Sequence, residues 1–159
     1  MTRNCYVLDS SVWIDAWKMY PPDIPVFAPI WNGVDALIGR KVLVSPEDVK
    51  EELERGADAL IEYLKRRSGL FYPLDAELQA SLIDVVAQYE LADPNSDRNR
   101  ADPIVVALGR LKKATVVSNE NPSKTLGKGG RPRIPDACTG LGIRCIKWLE
   151  FLKEEPWNS

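Results

Sequence analysis

The chain has 159 residues, 45% hydrophobic and 28% charged, with 21 basic and 23 acidic side chains that leave a net charge of −2. That length suits a single domain, 1–159, able to bury a core without disulfides or a structural metal. The sequence contains no histidine, which excludes histidine acid–base catalysis, Ser-His-Asp and Cys-His triads and histidine-ligated zinc.

Cys5, Cys138 and Cys145 form no C-x-x-C pair, so neither a disulfide framework nor a zinc knuckle is expected. No apolar run approaches the ~20 residues of a membrane span, and the start MTRNCYVLDSS lacks a signal-peptide core. The expectation is a cytoplasmic protein with reduced thiols and no membrane contact. With so small a net charge, a nucleic-acid role needs local basic patches.

In chain order, residues 5–8 read as a short buried strand, followed by a helix over 12–19 with Ser10 or Ser11 as N-cap. Tyr20-Pro21-Pro22-Asp23 breaks the pattern. Residues 24–40 are mostly helical, with Val26, Phe27, Ile30, Trp31, Val34, Leu37 and Ile38 recurring at three- and four-residue spacing. Residues 42–44 are a second strand. Ser45 as N-cap and Pro46 at N1, with acids in the first turn, then open a helix to about Arg55. Gly56 interrupts it, and a further helix covers 57–67. Residues 70–72 are extended, and 75–91 form an amphipathic helix. Residues 92–100 are a polar loop. Asp102, as N-cap before Pro103, starts a helix to about Lys113. A strand at 114–117, a glycine-containing basic loop at 119–133, a helical turn at 135–140, a strand at 143–146 and a helix at 148–153 complete the chain.

Short apolar strands alternating with helices predict an α/β fold: a short, mainly parallel sheet in a three-layer α/β/α sandwich. Ligands of such sheets sit beyond the carboxyl ends of the strands. Asp9 and Glu120 each fall just past such an end. In the helix around 47–55, Glu51 points away from the face made by Val49, Leu53 and Gly56. Glu52 borders that face and leans inward. Asp102 sits at the mouth of a helix whose run Ile104 to Leu108 is apolar nearly all round, which makes that helix central. Four carboxylates brought together repel one another unless a cation is present, and oxygen-only ligation suits Mg²⁺ or Mn²⁺.

The stretches YVLDSSVWI, VSPEDVKEEL, ADPIVVALG and ATVVSNE, in this order, resemble the PIN domain, the nuclease fold of VapC-type toxins. The tail RIPDACTGLGIRCIKWLEFL resembles a PIN-like subfamily with an Ile-Pro-Asp-x-Cys segment. The resemblance implies a Rossmann-like sandwich and an acidic cluster of Asp9, Glu52, Asp102 and Glu120, both metal-binding and catalytic. One or two Mg²⁺ or Mn²⁺ ions held there would support hydrolysis of RNA. Ser118-Asn119-Glu120 departs from the Thr-x-Asp often found in the family. Ser10, Ser118 and Asp136 are expected to support the ligands. Lys124, Lys128, Arg131 and Arg133 are expected to contact the RNA backbone, with Arg98 and Arg100 as weaker candidates. Gly127, Gly129 and Gly130 are expected to give the basic loop mobility. The resemblance also implies an antitoxin partner and a homodimer. Trp13 and Trp17, four apart on one helix, read as core or as a partner groove.

Of three rival readings, two lack the residue pattern they need. A non-catalytic PIN-like module that binds protein or RNA would keep the fold. A phosphorylation receiver needs an aspartate after a middle strand, where this chain has Ser45-Pro46. A haloacid-dehalogenase-like phosphatase needs Asp-x-Asp where this chain has Asp9-Ser10-Ser11.

Overall fold

The computed structural model describes residues 4–91, 101–126, 128 and 130–154. Five short strands, β1 (Tyr6–Leu8), β2 (Leu43–Pro46), β3 (Phe71–Tyr72), β4 (Thr115–Val117) and β5 (Cys145–Ile146), form one sheet in the order β3-β2-β1-β4-β5. Every pairing is parallel, with Tyr6 opposite Leu43 on one side and Thr115 on the other. The order reverses at β1, so a crevice opens beyond the carboxyl ends of β1 and its neighbours.

The helices are α1 (Ser10–Met19), α2 (Ala28–Gly39), α3 (Glu47–Glu54), α4 (Asp58–Lys65), α5 (Ala76–Gln88), α6 (Asp102–Lys112), α7 (Ile134–Leu141) and α8 (Trp148–Glu154). A single 3-10 turn at Pro25–Phe27 precedes α2. This is the three-layer α/β/α sandwich the sequence predicts. The helix α6 lies against β1, β2 and β4, with α5 and α7 packed on it, while α2 covers β2 and α1 packs with α3 and α4. Residues Ile104 to Leu108 are all buried, as an apolar central helix requires. Tyr6, Val7 and Leu8 are fully buried, so both faces of the middle strand are covered.

On α1, Trp13 is wholly buried and stacks on Trp31, while half-buried Trp17 meets Trp31 and Tyr63. The Trp13 indole N–H donates to Ser45 Oγ at 2.9 Å, and that hydroxyl donates to the Leu8 carbonyl at 2.6 Å. Here the sequence expectation needs correcting. Ser45 and Pro46 belong to β2, and Pro46 takes the N-cap position of α3 without any side-chain bond. A serine hydroxyl fully buried against Leu8 and Trp13 is not free to turn back onto a helix end.

Among the described residues no helix is long and apolar enough to cross a membrane.

Candidate functional site

Asp9 follows β1 directly, and its backbone N–H still donates to the Val117 carbonyl of β4. Its side chain is the N-cap of α1: Oδ1 accepts the Val12 amide at 3.1 Å and the Ser11 hydroxyl at 2.7 Å, while Oδ2 accepts the Ser118 hydroxyl at 2.8 Å. The residue is 4% exposed. Burial pushes its carboxyl up to about 6, the three donors hold it down, and the charge of Glu120 adds a small upward push.

Asp102 was expected to cap α6 but does not. Ala101 takes the N-cap position and Asp102 is the first helical residue, with no bond to the helix's own amides. The two aspartates have thus exchanged their predicted parts: the strand-end acid caps a helix, and the helix-start acid stays free of local amides. Asp102 is 8% exposed. Its carboxyl is pushed up to about 9 by burial first, then by the charges of Glu120, Asp9 and Glu52, and by a hydrogen bond with Glu120. Glu120, Asp9 and Glu52 therefore all lie within electrostatic reach of Asp102, at the carboxyl end of the sheet.

Glu52 leans inward from α3 as its helical phase requires, half-buried while Glu51 is exposed. Its Oε2 accepts the Ser10 hydroxyl and its Oε1 the Ala101 amide, each at 3.0 Å. Glu52 therefore ties α3 to the starts of α1 and α6. Glu120 hangs off the end of β4: its N–H donates to Ser118 Oγ at 3.2 Å, and its Oε2 accepts the Ile134 amide, the first of α7, at 3.2 Å. A carboxylate at a helix N-terminus meets unpaired N–H groups and the favourable end of the dipole. Every donor named here is a hydroxyl or a backbone amide, and no cation is among them. As the side chains stand, no group of three or more Asp, Glu, Cys or His side chains among the described residues is arranged to hold a metal ion.

A family model described as "Domain of unknown function (DUF4411)" matches residues 6–159. The chain belongs to the DUF4411 family. No curated protein matches the sequence. One similar solved structure is the crystal structure of VapBC2 from Rickettsia felis bound to a DNA fragment from their promoter. It shares 14% identity and a TM-score of 0.48, over 91% of this chain and 98% of that one.

The remaining candidates of this DUF4411 chain fall into two groups. Ser10 donates to Glu52 and Ser118 to Asp9. Asp136 does something different: its Oδ2 accepts the Arg133 amide at 2.8 Å and the Ser123 amide at 2.9 Å. It closes the N-terminus of α7 and anchors the preceding loop there. Lys124, Lys128, Arg131 and Arg133 are all exposed on that loop, and Arg131 lies 3.7 Å from Glu90. Gly130 serves a close approach: a Cβ there would collide with Thr125, whose carbonyl accepts the Gly130 amide at 3.0 Å. Gly127, Gly129, Arg98, Arg100 and the rest of the 92–100 loop lie outside the described residues.

Sequence reasoning offered Ser10 or Ser11 as the N-cap of α1, a place that Asp9 takes, and gave Asn119 no role. Ser11 donates to Asp9 and accepts the Asn119 amide at 3.4 Å. The side chain of Asn119 donates to Asp15 and accepts the Trp148 amide, at 2.8 and 3.1 Å, and so braces the end of β4 against α1 and α8. The signal for Ser11 was local: a hydroxyl two residues after an aspartate at a helix start can reach back to that carboxylate.

Proposed function

We propose that this chain is a divalent-metal-dependent endoribonuclease working in the cytoplasm, with Asp9, Glu52, Asp102 and Glu120 as its metal-binding and catalytic residues. The observation that carries the reading is the placement of Asp9, Glu52, Asp102 and Glu120 around the starts of α1, α6 and α7, where burial first, and then the charges of Glu120, Asp9 and Glu52, push the Asp102 carboxyl up. Such a cluster is stabilised by a shared cation, and oxygen-only donors fit Mg²⁺ or Mn²⁺. When bound, such an ion lowers the pKa of a coordinated water and neutralises charge on a phosphodiester, chemistry that needs no histidine.

The chain's own residues have distinct parts in this reading. Ser11, Ser118 and the Val12 amide fix the orientation of Asp9, as hydrogen-bonded neighbours of metal ligands do. Ser10 and the Ala101 amide orient Glu52. The first amide of α7 holds Glu120 toward Asp102. Lys124, Lys128, Arg131 and Arg133 offset the acidity of the crevice for an incoming RNA backbone, which makes binding salt-dependent. The reading also takes in an antitoxin partner and a homodimer, the assembly that the PIN resemblance implies.

The test is cleavage of single-stranded RNA with added Mg²⁺ or Mn²⁺ by wild type and by Asp9→Asn. Wild type is expected to cut and the variant to lose more than roughly 100-fold in rate. Equal cutting by both proteins, or no cutting by wild type with either ion, overturns the proposal.

A further inference from the structure

The helices α1 and α8 directly follow β1 and β5, so both start at the carboxyl end of the parallel sheet. Between them lies a cavity of about 330 Å³. Met19, Tyr20, Trp148 and Leu149 give it a mainly apolar wall. Met19 is 66% and Leu149 58% exposed, and Tyr20 is half-buried. Trp148 is buried, and its indole N–H has no hydrogen-bond partner, which costs free energy as long as no acceptor reaches it.

The cavity adjoins the acid crevice. Asn119 and Lys147 belong to its wall, and each stands just past the end of its strand. Asn119 lies between Ser118, whose hydroxyl holds Asp9, and Glu120. Lys147 follows Ile146, whose carbonyl accepts the Ser118 amide at 2.9 Å. The Lys147 ammonium donates to the Asn121 side-chain oxygen, and among the described residues it forms no ion pair. A phosphate therefore finds a cation at this rim. Inside, it would meet the carboxylates of Asp15 and Glu150, which share the wall. A neutral, flat group meets no such repulsion. Its faces suit the apolar side chains, and its edge can carry an acceptor for an indole N–H and donors for a carboxylate. Nucleobases have this combination of faces and edges.

We propose that the groove between α1 and α8 binds one nucleobase of a single-stranded RNA, and that Lys147 holds a phosphate beside it. The choice of RNA rests on the nuclease reading above; the groove and its charges do not. The base packs against Tyr20, Met19 and Leu149, a contact that tolerates any base because each has an apolar face. Lys147 adds a contact that is indifferent to sequence and sensitive to salt. The strand then continues past Asn119 towards Glu120. One short segment, Ser118-Asn119-Glu120, thus has the acids on one side and the base on the other.

The test reads binding without cutting. Fluorescence anisotropy of a short labelled single-stranded RNA is measured with the full chain in EDTA, beside an abasic strand of the same length that keeps the phosphates and lacks the bases. The double variant Met19→Ala/Leu149→Ala shortens two exposed side chains. It is expected to bind the RNA about 10-fold more weakly and the abasic strand as wild type does. Lys147→Ala is expected to weaken both strands and to lower the slope of log affinity against log salt by about 0.7. The proposal is overturned if wild type binds no RNA, if the double variant binds RNA as wild type does, or if it loses the abasic strand equally. It is also overturned if sedimentation shows a wild-type dimer that the double variant splits with its RNA affinity intact, since the groove then belongs to a second copy. The nuclease reading fails separately, through equal cutting by wild type and Asp9→Asn.

Discussion

Beside the tryptophan cluster, Asp35 accepts two hydrogen bonds from Arg67, at 2.9 and 3.2 Å, and the guanidinium lies 3.5 Å over the Tyr63 ring. In the crevice, among the described residues, the donors to Asp9, Glu52 and Glu120 are hydroxyls and backbone amides, and none of the four acids forms an ion pair. The first region shows how this chain uses an acid for stability. It brings a cation to the acid, in a two-pronged geometry backed by an aromatic face. The second region collects acids and, among the described residues, supplies them with neutral donors. That arrangement costs folding energy, and a cost of this kind marks a ligand site more readily than a structural one.

The comparison can be broken from either side. Removing the aromatic packing has the largest expected effect. Trp13→Ala deletes a wholly buried side chain and its bond to Ser45, and is expected to cost about 3–5 kcal/mol. Urea denaturation reads this as a lower midpoint, and a midpoint unchanged from wild type would remove Trp13 from the core.

Titration comes next. Asp9 is raised to about 6 and Asp102 to about 9, so the folded protein keeps protons that the unfolded chain releases near pH 4. Their stabilising contribution is therefore full below that pH. It is lost as pH climbs through about 6 for Asp9, and on towards about 9 for Asp102. For Asp9 alone the loss is on the order of 3 kcal/mol. Metal-free protein should thus unfold at lower urea at neutral pH than in mild acid, and added Mn²⁺ should flatten the profile. A stability that rises with pH over this interval would contradict the picture of a repelling cluster.

A smaller effect is expected from Ser118→Ala, which leaves all four acids in place and deletes one donor to Asp9. Activity or Mn²⁺ affinity should fall by roughly 10- to 100-fold, measured by RNA cleavage and by titration of the metal. Smallest of all, Arg67→Met removes the Asp35 ion pair, which is part-exposed, and should cost about 1 kcal/mol with no change in metal affinity. If Arg67→Met altered metal binding as strongly as Ser118→Ala, the two regions would not be separate in function.

The layered fold was legible because it rests on periodicity. The apolar residues around Val105 and the alternation of short strands with helices need no knowledge of distant neighbours. The acids were also legible by position, at strand ends and helix starts. The division of labour between Asp9 and Asp102 was not. Both stand where an aspartate commonly caps a helix, and local sequence does not separate a carboxylate turned onto its own amides from one turned away. Asp9 is held by Ser11 beside it and also by Ser118, 109 positions further along the chain, and at the start of α6 the N-cap position falls to Ala101. Ser45 was misread for a related reason. A serine before a proline and two acids has the local signature of a helix start, but the β2 register buries it, and its hydroxyl is used by Leu8 and Trp13.

The middle strand β1 is three residues long, a depth of only about 10 Å at roughly 3.3 Å per residue. This shortness keeps the next residue over the core instead of releasing it to water. Inserting two residues before Asp9 would preserve which face each side chain meets, yet carry the carboxylate about 7 Å outward, beyond the span of the Ser118 hydroxyl. Strand length is therefore a constraint in its own right here, as unforgiving as the identity of any single side chain.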